Sequence, residues 1–245
     1  MTSKGSGPVI LAIDSAGLAC SAVVAVGDTI LSAERVETRH SQAEALMPMV
    51  DAAMRKAGLP PAALDLVAAT VGPGSFTGIR VGLAAARGIA LATGAQLVGV
   101  SSFEAVAAGL AQGLAQPDCG DVQFLLIALE SRREDLYAQL FAIPWNPVGP
   151  PASMMPAALG EAMNAAVGAA PLLIAGDAAQ RAALVLSNCA DTIIVEDSAP
   201  DAVGVLRAGL HRWRSGTVDA PRPLYLRPPD VTLPSSRRAS PLSRA

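Results

Sequence analysis

An α/β fold follows from three features of this 245-residue chain. Short β-branched runs at 9–13, 20–26 and 29–37 come first, joined by tight polar turns. Strand-like runs at 64–71 and 96–100 then alternate with helix-length, alanine-rich stretches. A glycine-rich segment, Gly72-Pro73-Gly74-Ser75-Phe76-Thr77-Gly78-Ile79-Arg80, joins the first of these strands to the helix after it. The resulting order is β-β-β-α-β-α-β-α. A three-strand antiparallel meander leading into parallel βα units is the ribonuclease-H-like layout, shared by actin and the sugar kinases.

Each element has its own signal. Residues 9–13 are apolar throughout, which predicts a buried strand ending at Asp14. Gly27-Asp28 marks a hairpin between the second and third strands. Ser41-Gln42-Ala43-Glu44 fits a capping box, in which serine and glutamate side chains each satisfy an orphan N–H, and predicts a helix to about Ala57. Gly58 closes that helix and Pro60-Pro61 blocks its continuation. Residues 79–93 predict a second helix, stopped by Gly94, and 101–115 a third. A second unit is expected after Pro117. It holds paired strands at 122–129 and 136–142 around the polar turn 130–135, then a proline-rich loop over 144–156. Strands at 171–175 and 192–195 flank a helix at 178–186, and a last helix covers 199–213. The expected organisation is an N-terminal lobe over 1–116 with the glycine loop and interface helices, a smaller α/β lobe over 117–220, and a proline-rich, basic tail over 221–245 whose last dozen residues are disordered.

Composition excludes several functions. Aromatic residues make up 3% of the chain, too few for a base-stacking surface. A net charge of −3 argues against a dominant nucleic-acid footprint. Cys20, Cys119 and Cys189 are widely spaced and form no CxxC pair, so neither a zinc knuckle nor a disulfide framework is expected. The N-terminal residues carry no apolar signal core, and no apolar run reaches membrane-spanning length. A reduced cytoplasm is the expected location.

The glycine segment decides between catalysis and packing. Glycine permits positive φ and close backbone approach. A helix N-terminus after such a turn presents N–H groups and a favourable dipole to anions. The segment is therefore an anion cradle or a place where two backbones meet. Asp14, beside Ser15 at a strand end, either reaches a phosphate-bound water or accepts turn N–H bonds. A metal nuclease needs converging carboxylates, and the end of the 64–71 strand, Thr70-Val71-Gly72, supplies none. The chain has two histidines, His40 and His211, with no i, i+4 pair for a helical zinc site. Ser75 lies outside any G-x-S-x-G pattern and has no base nearby in sequence, so hydrolase chemistry is not supported. The loop also lacks the Gly-Lys-Ser/Thr of a Walker A motif. Asp14, Ser15, Gly72, Gly74, Ser75, Thr77 and Gly78 are read as vestigial phosphate loops, with no cofactor and no metal expected.

The two helices flanking the loop carry the other signal. On the first, Ala43, Leu46, Met47, Val50, Met54 and Ala57 read as the core stripe, and Ala45, Met49, Ala52 and Ala53 as a second apolar stripe. The next helix carries charge only at Arg80 and Arg87. A helix apolar nearly all round is buried within its subunit or against a partner. The interface expected from this is Ala45, Met49, Ala52, Ala53, Arg80, Gly82 and Ala86, with burial inside the chain as the alternative.

Four segments together resemble the TsaB (YeaZ) family, a subunit of the bacterial machinery that makes N6-threonylcarbamoyladenosine on tRNA. They are 10–15 with Ala19-Cys20-Ser21; His40-Ser41 to Leu46 with Pro48; the glycine segment 72–80 with Gly82-Leu83; and Val98-Gly99-Val100-Ser101-Ser102. The run Pro223-Leu224-Tyr225-Leu226-Arg227-Pro228 is similar to the family's ending. The resemblance implies a two-lobed, actin-like (ASKHA) fold without catalysis of its own. It implies a heterodimer with the catalytic paralogue TsaD through the helices after His40 and Gly78, joined by the ATPase TsaE, with tRNA reached through the complex. Homodimerisation without the partner is a further expectation. The paralogue's His-x-Glu-Gly-His metal motif is replaced here by Ser102 and Val106 at the histidine positions. Val71 stands where many relatives have arginine, and Glu130 where many have aspartate. The runner-up reading is an ATP-dependent small-molecule kinase of the same superfamily, using Asp14 and the glycine loop. A protease reading has no nucleophile–base or metal signature behind it.

Overall fold

The computed structural model describes residues 7–37, 42–111, 122–142, 146–186, 192–196, 198–217 and 220–227. Two sheets organise them. The first contains Val9–Asp14 (β1), Ala19–Val26 (β2), Thr29–Glu37 (β3), Leu66–Gly72 (β4) and Gln96–Ser101 (β5), in the order β3-β2-β1-β4-β5. The meander β1–β3 is antiparallel, while β4 runs parallel to β1 and β5 parallel to β4. This is the topology expected of the ribonuclease-H-like layout, and the α/β, actin-like fold class holds.

The apolar character of β1 follows from burial on both faces. Val9, Leu11 and Ile13 point to one side, where they meet Gln42–Ala57 (α1) and Phe76–Thr93 (α2). Ile10 and Ala12 point to the other, where they meet Ala202–Arg214 (α6). Parallel strands covered by helices on both faces read as continuous apolar runs for this reason. Ser102–Leu110 (α3) lies beside α6 and also reaches the second sheet through Phe103, Val106 and Ala107.

The second sheet contains Phe124–Glu130 (β6), Leu136–Ala142 (β7), Asn146–Pro147 (β8), Ala152–Met154 (β9), Leu172–Ala175 (β10) and Thr192–Ile194 (β11). Its order is β11-β10-β6-β7-β8, with β9 also pairing β7. Pro156–Val167 (α4) and Ala179–Val185 (α5) cover one face through Leu159, Met163, Val167, Ala179 and Ala182. The segment expected as a proline-rich loop over 144–156 therefore contains two short strands and runs into α4, an unpredicted helix. Pro156 sits at its first turn, where the missing N–H costs nothing.

Two boundaries differ from expectation. Helix α2 begins at Phe76 rather than 79, because Ser75 caps it: its Oγ accepts from Gly78 N at 3.2 Å. Helix α3 is described to Leu110, with the capping box on Ser101 and Glu104. The expected capping box at Ser41, the residue His40, and the tail beyond 227 lie outside the described residues. Among the described residues, no helix is long and apolar enough to cross a membrane.

Candidate functional site

The glycine loop closes on the β1–β2 turn. Gly78 packs against Ser15 so tightly that a Cβ there would lie 2.0 Å from Ser15 O; at Gly74 it would lie 2.4 Å from Ala16 O. Side chains cannot fit at either position, so glycine is required for the approach. Hydrogen bonds then fix the junction. Ser75 N donates to Ala16 O (2.7 Å), Ser15 Oγ donates to Gly78 O (2.8 Å), and Ser102 Oγ donates to Pro73 O (2.7 Å). The backbone N–H groups of Ser75 and Gly78 are thus already engaged. In this structure Ser15, Gly74, Ser75 and Gly78 join two backbones. Thr77 is exposed on the first turn of α2, and Gly72 packs against Ile79 and the carbonyl of Leu224.

Asp14 points inward. It is 2% exposed, and its Oδ1 accepts from Thr70 Oγ1 at 2.6 Å and from Ala16 N at 3.3 Å. Burial pushes its carboxyl up to about 6, against the opposing pull of those two hydrogen bonds. It acts here as a buried strand-end residue.

Helices α1 and α2 place the expected interface residues in two groups. Met49, Ala53, Gly82 and Ala86 are buried inside the subunit, which corrects their assignment to an outward face. Ala45 and Ala52 are half-buried, and Arg80 is exposed. The cause is helical phase. The core stripe of α1 is Leu46, Met49, Val50, Ala53 and Met54, so Ala43 and Met47 turn outward. The exposed charges Glu44, Asp51 and Arg55 were the signal for this, because they mark the solvent face on which Met47 falls. Met47 is 48% exposed, and on α2 Leu91 is 88% exposed, with Ala84, Arg87 and Gly88 also outward. Between the helices, Met47, Val50, Met54, Pro61, Leu64 and Ile89 line a shallow apolar pocket of about 180 Å³.

Residues 220–227 form a strap across the ends of both sheets. Leu224 N donates to Val71 O (2.7 Å), and Arg87 Nη2 to Pro221 O (2.7 Å). Arg80 lies 3.6 Å over the Phe76 ring and donates from Nε to Tyr225 Oη at 3.0 Å. Leu226 packs on the second sheet's core, and Arg227 pairs with Asp135. Against desolvation by burial, the Ser153 and Ser131 hydroxyls, and after them Arg227, hold the Asp135 carboxyl below its usual range. Within the 130–135 turn, Glu130 pairs with Arg181, and its N–H donates to Asp177 Oδ1 at 2.9 Å. Burial raises the Asp177 carboxyl above its usual range. Arg132 adopts φ 61°, a left-handed backbone that arginine seldom takes.

Comparison with known proteins places this geometry. The uncharacterised protein Rv3421c of Mycobacterium tuberculosis is 34% identical over 229 residues, which are 91% of this chain and 93% of that one. The structure of YeaZ from Pseudomonas aeruginosa superposes with a TM-score of 0.72, at 21% identity, over 89% of this chain and 100% of the other. The tRNA threonylcarbamoyladenosine biosynthesis protein TsaB of Escherichia coli is 35% identical over 100 residues, 41% of this chain and 43% of that one. The chain belongs to the TsaB (YeaZ) family. Membership of the TsaB family places it among the proteins of tRNA threonylcarbamoyladenosine biosynthesis. Residues 34–139 also match the family described as TsaD: tRNA N6-adenosine threonylcarbamoyltransferase. That match spans α1, the glycine loop and α2, which carry the close backbone approaches of Gly74 and Gly78 and the exposed Met47 and Leu91.

Proposed function

We propose that this chain is the non-catalytic dimerisation and scaffold subunit of the threonylcarbamoyl transferase that modifies adenosine 37 of tRNA. It acts in the cytoplasm, binds a TsaD-like catalytic paralogue through the outward faces of α1 and α2, and presents that pair to a TsaE-like ATPase. The N-terminal lobe, 1–116, supplies the docking helices, and tRNA meets the chain only within the complex. Without its partner the same face pairs two copies of the chain.

One observation carries this reading. Met47 and Leu91 are large apolar side chains left exposed on helices whose other faces are packed. Met47 borders the apolar pocket between the two helices, and exposed apolar residues beside such a pocket mark a protein interface. The engaged N–H groups of the glycine loop and the inward Asp14 weigh against the kinase alternative.

Co-expression with the TsaD-like paralogue tests the proposal. Met47→Asp with Leu91→Asp abolishes co-purification and leaves the melting temperature of the isolated chain nearly unchanged, since both residues are outward. A complex that survives both substitutions overturns the docking face. Magnesium-dependent ATP turnover by the purified chain overturns the scaffold role.

A further inference from the structure

Beneath the strap lies a pocket of about 390 Å³. Its floor is Val71 and Gly99, near the carboxyl ends of the neighbouring parallel strands β4 and β5. Pro221 and Leu224 give it an apolar wall, and Glu104, Arg212 and Arg222 supply charge. Open α/β sheets take their ligands at the carboxyl ends of strands, and this volume lies within the range of small-molecule sites. Gly99 shapes the floor, because a Cβ there would fall 2.6 Å from Val71 Cγ1 and 2.8 Å from Pro221 Cβ.

The polar groups are unbalanced. Glu104 is committed twice: Oε2 accepts from Ser101 N and Oε1 from Arg212 Nη1, each at 2.8 Å. Arg212 Nε is buried and, among the described residues, has no acceptor. Buried N–H groups are almost always paired, so an unpaired one asks for a missing acceptor. Charge points the same way: two guanidinium groups, Arg212 and the exposed Arg222, face one carboxylate. Guanidinium groups match the planar or tetrahedral oxygens of carboxylates and phosphates.

We propose that this pocket binds a small molecule through one carboxylate or phosphate group, held by the guanidinium groups of Arg212 and Arg222, with its apolar body against Pro221 and Leu224. The bound molecule fastens the strap, whose Tyr225 rests on Arg80 of α2. The site lies apart from Met47 and Leu91 and stands or falls independently of partner docking.

The test is NMR of the arginine side-chain Nε–H groups of the full chain, titrated with benzoate and, separately, with phenyl phosphate. The Arg212 Nε–H signal is expected to shift saturably with at least one probe, and Arg222→Ala is expected to weaken that binding about ten-fold. A response to benzoate alone assigns the site to carboxylates, and to phenyl phosphate alone assigns it to phosphates. Arg222→Ala alters an exposed side chain, so the fold persists in the comparison. No shift with either probe, or a shift of equal strength in the Arg222→Ala variant, overturns the proposal.

Discussion

At Asp14 a carboxylate is held where water scarcely reaches it. Its folded pKa of about 6 exceeds the ordinary 3.8, so the folded chain binds the extra proton between those values. Stability is therefore greatest below about pH 4 as far as this group is concerned, and falls as pH rises through 6. Two pK units correspond to about 3 kcal/mol. Asp14→Asn removes that dependence while its Oδ1 still accepts from Thr70. At pH 7.5 the variant should melt several degrees above the wild type, and at about pH 3, below both pKa values, the two should melt together. Equal melting at both pH values would show that Asp14 is not forced to ionise inside the fold. The sequence placed Asp14 at a strand end but left its direction open, because an acid at that position can turn inward to a threonine 56 residues away as readily as outward.

Among elements, α2 offers a paired comparison. Gly78 and Gly88 both lie inside it, and helix propensity alone favours alanine at each by about 1 kcal/mol. At Gly88 a Cβ meets nothing within 4 Å, so Gly88→Ala should stabilise the isolated chain by up to that amount. At Gly78 the Cβ would collide with the Ser15 carbonyl, and overpacking of about 1–3 kcal/mol or more outweighs the propensity gain. Gly78→Ala should therefore lower the denaturant midpoint; an unchanged midpoint would contradict the closed junction. Much of this was legible from residues 72–78, whose glycines announced either close approach or an anion site. Which surface they approached was not legible, because the turn at 15–16 is distant in sequence. Helix α4 was missed although Leu159, Met163 and Val167 repeat at helical spacing, since the prolines before it suggested a loop. The phase of α1 was misread because methionine and alanine occupy both its faces, and only the charges separate them.

Across the whole molecule, α6 is the element whose destination sequence could not reveal. It follows the second sheet in the chain yet covers Ile10, Ala12, Leu66, Ala68, Val98 and Val100 of the first. Arg212 pairs with Glu104, and Arg214 with Asp28, to seat it there. A fragment of residues 1–116 leaves that face bare. It should be aggregated or molten by near-ultraviolet circular dichroism, and adding a peptide of residues 199–217 should restore ordered signal. A well-ordered 1–116 fragment would show that the first sheet does not depend on α6.

The return of α6 also sets a timetable for synthesis. Strands β1, β4 and β5 are strongly apolar, and α6, which covers one of their faces, is made only after the whole second sheet. Domains normally finish folding in the order they emerge. Here the earliest sheet waits for a late helix, so the nascent chain holds an open apolar face while the entire second sheet is being translated. A pause or premature stop in that interval leaves a sticky half-lobe, which makes the chain a customer for chaperones during its own synthesis.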